Sequence, residues 1–274
     1  MKLIAIMFIS AAMMFGNVIG QYRLEYKASG TTPLHYKAHT DFEAVQTMMG
    51  QEQKVNMVSD QYLSVTSTGA DSELIFSMTI DSGANVMMMP TGDTNRVPSP
   101  AIGKVRETRI LSNGEQISSR WLDTTFANSQ AGQQADQLGT FFFKLPTGSV
   151  DTGATWTQDK VDTVGIPNAQ GRIIVNTNTN YKLVGKEDAN GVSCAKIQFT
   201  GKITMKGSAA IQGMDFGIDG SGTVDGIALF DYGAGKVKNI AGSSDQDIVM
   251  ATAGENAMTI PMSRKANFEL SSSK

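Results

Sequence analysis

Apolar side chains recur at every second position through most of this chain, the period of a strand with one buried face. At the start, Tyr22, Leu24 and Tyr26 share one face while Arg23, Glu25 and Lys27 share the other. Gly30-Thr31-Thr32-Pro33 reads as a turn, after which Leu34, Tyr36 and Ala38 alternate with His35, Lys37 and His39. The opening is therefore expected to form a hairpin. Strands are expected to continue over 42–49, 53–67 and 73–80, with Asp81-Ser82-Gly83-Ala84-Asn85 closing the last of these before 86–89. The stretch 90–103 contains Pro90, Pro98 and Pro100 and is expected as a surface excursion. Asn113-Gly114, flanked by β-branched Ile110 and Ile117, predicts a hairpin with a type I′ turn.

From 124 to 138 Ala, Gln and Asp replace the β-branched residues, which predicts a helix starting at or after Asn128, although Gly132 weakens it. The second half resumes the strand period over 172–184 and 192–202, joined through Asn190-Gly191. Further strands are expected around 211–216, 223–232 with 236–240, 247–252 with 256–263, and 265–270. Turn signals at this spacing predict a mainly β protein: an antiparallel half-barrel or barrel-like curved sheet with one or two short helices. Residues 21–274 are expected to form one β-rich domain, and the central break leaves open two similar halves, 21–125 and 140–274.

The first twenty residues lie outside this pattern. Lys2 precedes an apolar run over 3–15, and Val18 and Gly20 are the small residues that signal peptidase requires before Gln21. This predicts a signal peptide over 1–20, cleaved between Gly20 and Gln21, and a periplasmic or secreted, soluble product. The run is shorter than the ~20 residues that span a bilayer, and no transmembrane segment is expected in the mature chain. Cys194 is the only cysteine, so no intramolecular disulfide forms, and its apolar strand neighbours predict a buried thiol. The net charge of −3, with both signs scattered, offers no footprint for nucleic acid.

Constellations that carry chemistry are weak. His35 and His39 on one strand stand roughly 13 Å apart at 3.3 Å per residue, too far for one ion. Asp219-Gly220-Ser221-Gly222-Thr223-Val224-Asp225-Gly226 lacks the spacing and distal Glu of a calcium loop and reads as a β-turn. Gly233-Ala234-Gly235-Lys236 lacks the first Gly and the Ser/Thr of a phosphate loop and reads as a hairpin turn. No metal site, cofactor or catalytic residue is assigned. Carboxylate pairs such as Asp159 with Asp162, or Asp245 with Asp247, keep a carboxylate-based extracellular hydrolase as the alternative, working on loops at 90–103 and 159–167. Methionine recurs at Met48, Met49, Met57, Met78, Met87, Met88 and Met89, as core filler or as the lining of an adaptable apolar pocket.

Short motifs spread along the chain resemble those of a family of exported bacterial β-rich proteins of unknown function. They are Tyr22-x-Leu24-x-Tyr26-Lys27, Met49-Gly50-Gln51-Glu52, Ile102-Gly103-Lys104, Leu145-Pro146, Gly153-Ala154-Thr155-Trp156, Tyr181-x-Leu183-x-Gly185-x-Glu187 and Cys194-x-Lys196-Ile197. The layout is also similar to the periplasmic lipoprotein-carrier half-barrel, which shelters acyl chains. The resemblance implies no catalytic residues. The expectation is a monomeric, non-enzymatic exported protein that binds an apolar ligand, a lipid, or a cell-envelope component on a concave sheet.

Overall fold

The alternation extends through strands much longer than the turn signals suggest, because several glycine-containing stretches run on as strand interior. The computed structural model describes residues 21–273, apart from 49, 71, 89–92, 130, 133–134, 136–141, 166–169, 212–213 and 253–256. The expected signal peptide, including Gly20, lies outside the described residues, as do Met49 and Met89. The chain opens with β1 (Tyr22–Arg23) and then meanders through β2 (Gly30–Met48), β3 (Gln51–Ala70) and β4 (Glu73–Met88). β5 (Thr94–Pro98) pairs beside β4, and β6 (Val105–Leu111) and β7 (Gln116–Trp121) complete this arm. The connection that follows carries α1 (Thr124–Ala127) and β8 (Ser149–Val150). A second meander then runs through β9 (Thr155–Gly165), β10 (Gln170–Ala189), β11 (Val192–Ile211), β12 (Met214–Asp231), β13 (Lys236–Thr252) and β14 (Thr259–Ser272).

β14 pairs antiparallel with β2, so the two meanders join as one sheet in the order β7-β6-β4-β3-β2-β14-β13-β12-β11-β10-β9. The sheet curls into an open half-barrel with one short helix, the expected fold class. Because the two ends of the chain meet in the middle of the sheet, residues 122–154 must cross from the edge strand β7 to the opposite edge strand β9. Phe143 and Leu145 of this crossing are buried in the same core as Leu63, Phe76, Ile197 and Phe230 of the sheet. Tyr22, Leu24 and Tyr26 of the N-terminal segment join them. Tyr26 N–H donates to Ser112 O (2.8 Å), Leu145 N–H to Asn113 O (2.6 Å) and Lys27 N–H to Gly235 O (3.0 Å). The crossing and the N-terminal segment are thereby fastened to two hairpin turns at one end of the half-barrel.

Register stacks the concave side chains in rows. One row reads Trp156, Tyr181, Phe199, Gly226, Gly242, Phe268, Thr40, Ser59. At its two glycines the neighbouring rings fill the missing side-chain space. A Cβ on Gly226 would lie 2.5 Å from Phe199 Cζ and 2.7 Å from Gly242 Cα, and one on Gly242 would lie 2.8 Å from Phe268 Cζ. Glycine in a strand marks such close approach.

Several local expectations are corrected. Tyr22, Leu24 and Tyr26 are buried at period 2 as predicted, but β1 pairs with β8 and not with β2. Residues 30–33 begin β2 and contain a register shift between Gly30 and Leu34, in place of a free turn. Residues 81–85 do not end β4: the pairing passes from Leu63↔Ile80 to Tyr62↔Ser82, which leaves Asp81 as the extra residue of a bulge. Residues 219–226 are the interior of β12 and not a turn. The Asn113-Gly114 hairpin is present, but positive φ occurs at Gly114 alone, and Gly114 N–H bonds Leu111 O (2.8 Å). That is a type I turn with a bulge glycine, stabilised by Glu115 N–H donating to Asn113 Oδ1 (3.0 Å). Asn190 and Gly191, at φ 57° and 80°, make the type I′ geometry instead. A helical turn that the sequence does not separate, α1, begins at Thr124, where Asp123 Oδ1 caps it by accepting from Phe126 N–H (2.9 Å), and past Asn128, where the helix is expected, Ala131, Gly132 and Ala135 are helical.

Gly226→Val is expected to destabilise the fold by about 2–3 kcal/mol, since the added carbons meet two backbones and a ring in a packed row. Chemical denaturation checks it. Tyr26→Phe removes a hydroxyl that donates to Phe143 O (3.3 Å) and accepts from Phe143 N–H (3.2 Å) inside the core. A loss of about 1–3 kcal/mol is expected by the same measurement.

Candidate functional site

The crossing covers the concave face without filling it. A cavity of about 440 Å³ lies between them, within the range of small-molecule sites. Leu63, Met78 and Ile80 of β3 and β4 line one flank, and Phe199, Val224, Ile240, Phe268 and Leu270 of β11 to β14 line the other. Trp121, Phe142 and Phe143 also line it. One wall is an aromatic stack in which Tyr181 lies between Trp156 (centroids 5.6 Å, planes 11° apart) and Phe143 (5.8 Å, 23°). The stack is anchored at both ends of Trp156: its indole N–H donates to Lys144 O (2.7 Å), and Gln158, two residues on, accepts from the Tyr181 hydroxyl (2.9 Å) and Lys144 N–H (3.2 Å). Burial pushes the Tyr181 hydroxyl up to about 12, so it stays a neutral donor.

Polar groups converge at defined places on the lining. Ser59 and Gln61 are buried on β3, and Thr177 and Thr179 project from β10. Lys160 and Asp162 of β9 form an ion pair at 2.8 Å, so this edge contributes no net charge. A second cavity of about 330 Å³ lies against Tyr26, Tyr36 and Val237 and shares Phe142 and Leu270 with the first. Those two side chains form the partition between them.

The methionines divide between the two expected roles. Met78 lines the cavity, Met57 is half-buried, and Met87 and Met88 are exposed at 38% and 39%. Met205, which carried no weight in the sequence, is buried with Ile203, Ala209, Ile218 and Ile248 in a second apolar cluster, against which Met250 and Met262 pack. The glycines of 219–226 supply the open floor between these side chains: Gly222 lies under Gln246, and Gly220 under Ile248 and Met205.

The histidines sit on the convex face of β2, opposite Ser64 and Asp60. His35 Nδ1 is 3.1 Å from the Ser64 hydroxyl, which donates to Asp81 Oδ2 at 2.5 Å. This serine stands between the imidazole and the carboxylate and gives its proton to the acid, which is not the order of a nucleophile activated by histidine. His39 contacts Asp60 (2.9 Å) and Asp41 (3.2 Å), and Lys37 contacts Asp60 at 3.3 Å. Asp159 and Asp162 fall on opposite faces of β9, while Asp245 and Asp247 both face outward on β13. Cys194 is buried, and burial raises its thiol. Gly233, Ala234 and Gly235 lie in the expected turn between β12 and β13, and Lys236 opens β13. Among the described residues no group of three or more His, Cys, Asp and Glu side chains is arranged to hold a metal ion. No helix of the described residues is long and apolar enough to cross a membrane.

Compared with known proteins, the chain matches no family model and no curated relative.

The convex network gives a pH-dependent expectation. Asp60 holds the His39 imidazole above its usual 6.5, and His39, then Lys37, hold the Asp60 carboxyl below its usual 3.8. A raised histidine contributes stability that is present below 6.5 and lost as pH rises through its folded value. A depressed carboxyl contributes stability that is present above 3.8 and lost as pH falls through its folded value. The pair therefore contributes between those limits. In Asp60→Asn the His39 titration, followed by NMR, is expected to move down toward 6.5; an unmoved midpoint contradicts the assignment.

Proposed function

We propose that this is a non-enzymatic binding protein of the cell envelope, periplasmic or secreted, which holds an apolar ligand of lipid type between the concave sheet and the crossing. The observation that carries this reading is the 440 Å³ cavity, walled by aliphatic and aromatic side chains from both arms of the sheet. Apolar surface left without a packing partner is favourable only when something apolar covers it. The polar groups on the lining include Ser59, Gln61, Thr177 and Thr179, which suit orientation of a ligand, and the buried guanidinium of Arg106, which donates to Ser119 Oγ and lies over the Trp121 ring. Of the carboxylate pairs that suggest a hydrolase, Asp159 and Asp162 lie on opposite faces of β9, and Asp245 and Asp247 lie on the convex face of β13, away from the cavity.

Protein expressed with its leader and purified without detergent is expected to release a lipid on solvent extraction, seen by mass spectrometry. Delipidated protein is then expected to bind a solvatochromic apolar probe. Recovery without lipid, together with no probe binding, overturns the proposal. Thr40→Phe, on the cavity wall beside Ser59 and Phe268, is expected to weaken probe binding about tenfold. The ring excludes about two methylenes of ligand at ~0.8 kcal/mol each.

A further inference from the structure

At the rim of the cavity the concave face carries a cation, Arg264, that has no acidic partner among the described residues. The row that contains it reads Lys160, Thr177, Ile203, Gly222, Gln246, Arg264, Ala44. Lys160 and Thr177 line the cavity, and Ile203 belongs to the second apolar cluster. The row is thus the boundary between the two apolar regions. It lies roughly 7 Å along the strands, two residues at 3.3 Å each, from the row of Val224 and Ala266.

Arg264 is half-buried, and its Nε donates to Met262 Sδ at 3.3 Å, a weak acceptor on its own strand. Among the described residues no carboxylate lies within ion-pair distance of its guanidinium. The acids of the flanking strands take the alternate positions and are used on the convex face, Asp245 with Lys265 and Glu43 with Lys54. Lys160, the other cation of the row, is already matched by Asp162. A guanidinium presents five donors in a planar fork that fits a carboxylate or a phosphate, and a buried charge is stable when it is so paired. Burial pulls this guanidinium down from its usual range without discharging it.

We propose that Arg264 is the anchor for the anionic headgroup of an amphiphile whose hydrocarbon chain occupies the cavity. This rests on the apolar-ligand reading above and narrows it to ligands with a carboxylate or phosphate at one end. Gln246, across the register from Arg264, adds an amide beside the headgroup. The chain then runs down past Val224 and Phe268, and the headgroup faces the open end of the half-barrel, away from the end that the crossing and the N-terminal segment plug.

The test measures binding of hexadecanoate, hexadecyl phosphate and hexadecanol to the delipidated full chain by displacement of a solvatochromic probe. Wild type is expected to bind at least one anion about tenfold more tightly than the alcohol, and Arg264→Gln to remove that preference while leaving hexadecanol unchanged. Preference for the carboxylate or for the phosphate identifies a fatty acid or a phospholipid as the source of the charge. Arg264→Lys is expected to keep part of the preference, and Lys265→Gln, on the convex face of the same strand, to keep all of it. Equal binding of anions and alcohol by wild type overturns the proposal while leaving the apolar-ligand reading standing. An equal loss of all three in Arg264→Gln, with Arg264→Lys showing the same loss, also overturns it. Failure of all three ligands to bind wild type overturns both readings.

Discussion

The pairing of β2 with β14 is the constraint from which the rest of the architecture follows. It puts the first long strand and the last one side by side in the middle of the sheet, so each arm of the meander grows outward to its own edge. The chain can then connect the arms only by passing from β7 to β9, across the width of the half-barrel. A crossing of that length needs a surface to lie on, and the concave face offers apolar rows at strand period. Phe143, Leu145 and the capped turn of α1 are the contacts it makes there. Lid and cavity therefore arise from a single topological fact.

Curvature is the second ingredient, and it comes from where the glycines fall. Gly201, Gly222, Gly226 and Gly242 occupy concave positions in neighbouring strands, where a full set of side chains would crowd as the sheet closes on itself. Removing them lets backbones and rings approach, as Phe199 and Phe268 do over Gly226 and Gly242. The glycines cost strand propensity. Long unbroken ladders on both sides, such as those between β10 and β11 and between β11 and β12, hold those residues extended.

This explains which parts of the structure were legible in the sequence. Period 2 was read wherever apolar side chains mark one face, and the turns at Asn190-Gly191 and Gly233 to Gly235 carry enough local signal to be placed. Residues 219–226 were misread because glycine in a turn and glycine under an aromatic ring look the same along a chain; the deciding ring, Phe199, is contributed by the neighbouring strand. Asp81 to Asn85 failed for a related reason, since a bulge needs only one extra residue and borrows turn-like composition. The pairing of β1 was out of reach because its partner, Ser149–Val150, is more than a hundred residues away and only two residues long. Among the site residues, Met78 was visible as a candidate. The stack of Trp156, Tyr181 and Phe143 and the unmatched Arg264 were not, because each depends on register between strands. The local signal that existed was parity: Trp156, Gln158, Lys160 and Asp162 alternate along one strand and share its concave face.

Whether such a cavity persists or collapses depends on how stiff its walls are. Aliphatic side chains can repack into a void, and the cost of an empty space falls as its surroundings relax. Here the positions with most freedom to move are pinned. Tyr26 is hydrogen-bonded twice to Phe143, Trp156 to Lys144, and Tyr36 donates to Val237 O at 3.0 Å, so the rings around the plug are held by polar contacts as well as by packing. The stack of Trp156 on Tyr181 on Phe143 then works as a prop between the edge strand and the crossing. Flexible side chains remain at two places: Met78 on one flank of the cavity, and Met205, Met250 and Met262 beyond the row of Arg264. A rigid frame with compliant contacts at two places along its length keeps the cavity open while leaving its shape adjustable.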